Sequence, residues 1–128
     1  MDCCKTDVVS LMQSGVRFHI PFYQRPYEWG ESQCQVLLDD LDLVRAQLPN
    51  PAPHFLGTLV VQPQENTKTL VIIDGQQRLT TMYLLFQAIS RLALERAQDA
   101  NSSVRYQELA QELNSILVDA SDSHRPPF

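Results

Sequence analysis

The chain is poor in cysteine and glycine and has no excess of positive charge, and each scarcity closes off a class of protein. Its 128 residues include three cysteines and four glycines. Cys3 and Cys4 are adjacent and Cys34 stands alone, so the sequence offers neither a disulfide framework nor a metal-ligand spacing. Reduced thiols are expected, with Cys34 packed as a small hydrophobe in a helix. Ten basic against 15 acidic side chains give a net charge of −5 at pH 7. That balance is wrong for a surface built throughout to hold nucleic acid, although it leaves room for a local basic pocket. The longest apolar stretch, Leu79–Ile89, is interrupted by Thr80, Thr81, Tyr83 and Gln87 and falls short of the roughly 20 residues that span a bilayer. The opening MDCCKTDVVS begins with an acid and lacks the basic start and apolar run of a secretory signal. These features predict a soluble, cytoplasmic protein with no membrane partner. A G-x-S-x-G elbow, an H-E-x-x-H pair and a Walker lysine loop are also missing, which sets aside serine hydrolases, zinc proteases and P-loop enzymes.

What is present suits one ordinary globular domain: 44% hydrophobic residues, 20% charged, and no repeat or low-complexity segment. Thr6 or Asp7 predicts the cap of a short helix that runs through Gln13 and is closed by Gly15. Val16, Phe18 and Ile20 alternate with polar residues, a strand stopped by Pro21. After the loop FYQRPYEWG, a helical stripe runs from Glu31 through Cys34, Leu37, Leu38, Leu41, Val44 and Leu48 until NPAP breaks it. Asp39, Asp40, Asp42 and Arg45 form its wet face. Phe55–Gln62 and Thr69–Ile73 read as two antiparallel strands joined by a polar hairpin loop. The second passes through IDGQQRLTT into a long helix whose apolar stripe, Leu79 to Ala93 and including Leu92, is wide enough to be covered on more than one side. After DANSS a further helix carries Tyr106, Leu109, Ala110, Leu113, Ile116 and Leu117, and SDSHRPPF reads as a frayed tail. The order predicts a small α+β domain.

The segment Asp74-Gly75-Gln76-Gln77-Arg78 carries the chemistry. A strand that turns at glycine into a helix aims backbone N–H groups and the positive end of the helix dipole at one spot, which favours anions and above all phosphate. Gly75 allows close approach, Gln76 and Gln77 add neutral donors, Arg78 supplies a fork for phosphate oxygens, and Thr80 and Thr81 add hydroxyls. Asp74 facing such a site holds a divalent cation, orients a water or fixes an arginine. The equally economical reading is that Asp74 caps the helix and Arg78 reaches into solvent. A second cluster, IPFYQRPYEW, places Gln24 and Arg25 in a proline-stiffened loop, where aromatic walls would keep Arg25 in place. Phe22 and Trp29 are expected in the core. Gly57 interrupts a strand, as a close approach of backbone or ligand or as a bulge. His19 and His54 are expected to be structural or exposed, and His124 belongs to the tail.

Taken together and in this order, IPFYQRPYEW, QCQVLLDDL, HFLGTLVV and VIIDGQQRLTTMYLL closely resemble the N-terminal domain of GmrSD-type restriction endonucleases, over roughly Val16–Leu92. That family is similar in turn to ParB and sulfiredoxin, whose strand-to-helix turn binds nucleotide phosphates. The resemblance implies a ParB-like nucleotide-binding core over residues 1–100, followed over 101–128 by a C-terminal helix and tail that begin a helical region. It implies nucleoside triphosphate binding and hydrolysis in a prokaryotic defence system, with Gln24, Arg25, Gly57, Gly75, Gln76, Gln77, Arg78 and Thr81 binding the nucleotide. Asp74 and Arg78 would be catalytic and Asp74 would hold Mg²⁺. The partner implied is an HNH-type nuclease domain or subunit, through which DNA is contacted indirectly, and a homo-oligomer is allowed. No HNH segment follows in these residues, so DNA cleavage is not expected of this chain itself. The alternative is a ParB-like nucleotide-dependent switch, or an interaction module, without meaningful turnover.

Overall fold

The computed structural model describes residues 2–98 and 103–117. Asp7 opens the first helix, α1 (Val8–Met12), by accepting the Ser10 N–H at 2.8 Å, and Gly15 at φ +74° ends the turn that follows. Three strands come next in pieces: β1 (Arg17–His19), β2 (Val60–Pro63) and β3 (Thr69–Asp74). The sheet order is β1-β3-β2, with β1 parallel and β2 antiparallel to the central β3. A parallel pair needs a long crossover. Here the crossover contains α2 (Glu31–Arg45), and the tight hairpin between β2 and β3 closes the sheet. The long helix α3 (Gln76–Arg96) starts one residue after β3, and α4 (Ser103–Leu117) packs along it.

One core unites these elements. Met12 of α1, Phe18 of β1, Leu37 of α2, Ile72 of β3, Leu79 and Met82 of α3 and Ile116 of α4 form a single buried cluster, with Ile72 wholly inaccessible. The β2 residue Val61 packs against its edge. The architecture is α+β, in the predicted element order. α3 is covered by the core on one side and by α4 on another, although Leu92, counted in its predicted apolar stripe, is exposed.

Two predicted boundaries are corrected. The strand expected over Phe55–Gln62 begins only at Val60, because Gly57 adopts φ +109° and the 55–59 segment leaves strand geometry to run over the start of α3. The second helix ends at Arg45 instead of Leu48. Pro49 disfavours a helical conformation in the residue before it. The chain responds by tightening into turns, with Gln47 N–H on Val44 O and Leu48 N–H on Arg45 O. Of the DANSS break expected over 99–103, only Ser103 is described and it begins α4, while the tail over 121–128, with His124, lies outside the described residues. Among the described residues no helix is long and apolar enough to cross a membrane.

Candidate functional site

The site begins with a flaw in the sheet. Val60 pairs with Asp74 and Val61 with Ile72, so the ladder skips Ile73 at the point where β3 ends. Such a bulge re-aims the residues beside it. Asp74 then folds back on itself, its Oδ1 accepting the Gly75 N–H at 2.9 Å. Gly75, at φ +94°, is the N-cap of α3 and supplies no side chain. Only glycine enters this conformation freely. The surroundings also demand it, because a Cβ here would stand 3.0 Å from both Thr58 O and Leu59 Cδ1. Asp74 therefore does not cap α3 in the manner the sequence left open.

Arg78 does not reach into solvent either. It is half-buried, and its Nη1 donates to Thr58 O at 3.1 Å. The guanidinium lies directly under Gly57, where a Cβ would come within 2.6 Å of Cζ. This explains the glycine in FLGT: the backbone is the lid of an arginine slot. Two segments distant in sequence thus meet at the start of α3.

The FYQRPYEWG loop is held against the same turn by glutamine amides. Gln24 Nε2 donates to Ile73 O at 3.0 Å. Gln76 Nε2 donates to Arg25 O, and Gln77 Nε2 to Pro26 O at 2.9 Å. Gln77 Oε1 accepts the Glu28 N–H at 2.8 Å, so this one amide satisfies both a donor and an acceptor of the loop backbone. Thr81 is buried and donates to Gln77 O at 2.7 Å; its hydroxyl proton being used, it accepts from Tyr27 Oη at 2.8 Å. Gln76, Gln77 and Thr81, expected to face a ligand, thus also fasten the loop. That tethering went unread in the sequence, although a neutral amide that donates and accepts at once is the natural partner for an irregular backbone.

Two expectations for the loop are overturned. Phe22 is not core but 99% exposed, because Pro21 is the residue that turns inward and the chain then loops away from the sheet. Arg25 is not walled in by aromatics. Its side chain is 75% exposed and meets only Glu28 Oε2, at 3.3 Å. Trp29 is half-buried against the core cluster, close to expectation. Cys34 is half-buried with its Sγ 4.0 Å from Tyr27 Oη, His19 is exposed, and His54 is exposed with Nε2 3.7 Å from Asp40 Oδ2.

Two clefts result. A polar one of about 170 Å³ is lined by Gln24, Arg25, Trp29, Asp74, Gly75, Gln76, Gln77 and Arg78. Its lining includes two arginines and one aspartate, and it faces the first turn of a 21-residue helix. The helix dipole adds positive potential there. A second cleft of about 430 Å³ adjoins it and shares Gln24, Arg25, Gln76 and Gln77. Every residue expected from the sequence to bind phosphate lines the polar cleft, save Gly57, which covers the Arg78 guanidinium, Thr80, which lines the adjoining cleft, and Thr81, which is buried in the helix packing. Among the described residues no three His, Cys, Asp or Glu side chains gather as a metal cage.

Against known proteins, residues 6–126 match the family model described as the GmrSD restriction endonuclease, N-terminal domain. No curated protein matches the chain.

Proposed function

This chain belongs to the family of GmrSD restriction endonuclease N-terminal domains, and is a restriction-system component; from that premise we propose that its polar cleft binds a nucleoside triphosphate and hydrolyses it slowly. The observation that carries this reading is the meeting of Arg25, Arg78 and Asp74 at the glycine turn that opens α3. Phosphate oxygens are the ligand that such a set suits: fixed backbone dipoles, two forked cations and a close backbone approach. Arg78, gripped by Thr58 O, is pre-positioned. Arg25 leaves the exposed Glu28 for the phosphates, a small cost, since exposed ion pairs contribute only about 0–1 kcal/mol.

Asp74 fits a magnesium ion that comes with its nucleotide. Mg²⁺ is held by one or two carboxylates together with substrate phosphates and water, and Asp74 Oδ2 stays available while Oδ1 accepts the Gly75 N–H. When bound, the ion would neutralise charge on the transferring phosphoryl group. Asp74 also orients the attacking water. The water oxygen bonds to the terminal phosphorus as the bridging P–O bond breaks, the bond's electron pair leaves with the nucleoside diphosphate, and the water's protons stay on the inorganic phosphate or pass to solvent. The turnover controls an HNH-type nuclease domain or subunit, which is the part that contacts DNA.

Phosphate release by the purified protein with Mg²⁺ and each of the four ribonucleoside triphosphates tests this. Asp74→Asn is expected to keep nucleotide binding, seen as thermal stabilisation, and to lose release by about a hundredfold. Equal release from both proteins contradicts the role given to Asp74. Binding without release from the wild type replaces hydrolysis with a ParB-like nucleotide switch.

A further inference from the structure

Resting on that reading, we infer that the second cleft is the nucleoside half of the site and that Phe22 is its stacking face. The two clefts share a wall of Gln24, Arg25, Gln76 and Gln77 but differ in chemistry. Arg78 and Asp74 line only the polar one, and Arg25 is the charged residue that the two share. Ile20, Phe22, Pro26 and Tyr27 line only the other. A bare polyphosphate has no use for an apolar compartment of about 430 Å³ beside its anion site. A nucleotide does, because its base is flat and apolar on both faces.

Phe22 supports this independently. Its ring is 99% exposed, touching only Tyr23 edge-on at a centroid distance of 5.7 Å and 78° between planes. Both faces are free at the rim of the cleft, and an aromatic face offers a sequence-tolerant stacking platform to a base.

Gln76 points the same way. It is more than nine-tenths buried, it lines both clefts, and its Oε1 has no hydrogen-bond partner although its Nε2 donates to Arg25 O. Buried acceptors without partners are uncommon and costly. Phosphate oxygens, being acceptors, cannot satisfy it. Only a donor, such as a sugar hydroxyl or a base N–H, is the right kind of partner for it.

The test is calorimetric titration of the full chain with Mg²⁺ and two kinds of probe, the four ribonucleoside triphosphates and inorganic tripolyphosphate. The wild type is expected to bind its preferred nucleotide at least tenfold more tightly than tripolyphosphate. Phe22→Ala should weaken that nucleotide about tenfold, Phe22→Trp should restore it, and tripolyphosphate should bind all three proteins alike. Because Phe22 is exposed, neither variant disturbs the core. Equal wild-type affinity for nucleotide and tripolyphosphate overturns the inference while sparing the phosphate site. So does a Phe22→Ala variant that weakens neither probe or both equally. Binding of neither probe by the wild type overturns the phosphate reading and the inference with it.

Discussion

Gly57 and Arg78 form one structural unit. The guanidinium needs a place where a cation is pinned but not sealed, and a glycine backbone at φ +109° provides the slot. Gly57→Ala adds a methyl group where Arg78 lies, in a conformation that alanine avoids. Chemical denaturation should show a loss of about 1–3 kcal/mol, and Arg78 should leave Thr58 O, weakening nucleotide binding as well. In the sequence Gly57 was legible as a close approach or a bulge, but its partner Arg78 was not, because tertiary folding supplies it. Asp74 and Arg78 were legible as a pair with two possible roles, and the bulge at Ile73 and the proximity of Thr58 set aside the one in which Asp74 caps the helix and Arg78 reaches into solvent.

Asp7 gives a pH signature at the same scale. The Ser10 N–H, and then the Ser10 hydroxyl, hold its carboxyl below the ordinary aspartate value. A depressed folded-state pKa contributes stability above the unfolded pKa of about 4, and that contribution is lost as pH falls through the lower folded value. The melting temperature of wild type should therefore fall toward that of Asp7→Asn as the pH is lowered below about 4, and exceed it at pH 7. A gap that stays constant over this range would contradict the ionised cap.

Among the elements, the loop between β1 and α2 is the most consequential. It has no secondary structure of its own over 20–30, and its order comes from Gln24, Gln76 and Gln77. Gln77 contributes twice, through Pro26 O and the Glu28 N–H. Gln77→Ala should cost about 1–3 kcal/mol, and amide exchange should quicken at Glu28 and its neighbours while β3 stays protected. Uniform exchange across the chain would show that the loop is fastened elsewhere. The elements themselves were largely readable. Period-two alternation marked β1, and the apolar spacing marked α2, α3 and α4 to within a turn. The failures came where neighbours overrule local pattern: residues 55–59 look like strand but are bent over α3, and Phe22 looks like core but follows a proline that has already taken the inward position.

At the scale of the whole molecule, seven residues from six elements make one core, and Ile116 carries α4 into it. Ile116→Ala should destabilise the protein by about 2–5 kcal/mol in a single cooperative transition. A separate, earlier transition for α4 would contradict that union. The overall charge of −5 finds its counterpart in a local arrangement, since the acids of α2 face solvent while Arg25 and Arg78 are gathered at one cleft. The net value is a poor guide to the site, because a phosphate senses the few groups within a Debye length of it.

The central claim is that this cleft binds a triphosphate, and Arg25 tests it more cleanly than Arg78. Arg78 also supports the 57–59 segment, whereas the Arg25 side chain is 75% exposed, pairs with the exposed Glu28 and can be removed without disturbing the fold. The decisive measurement is calorimetric titration of wild type and Arg25→Ala with the four ribonucleoside triphosphates in the presence of Mg²⁺. The expected result is an affinity reduced about tenfold or more in the variant, with an unchanged melting temperature in the absence of nucleotide. Undiminished binding by Arg25→Ala, or no binding by the wild type, would contradict it.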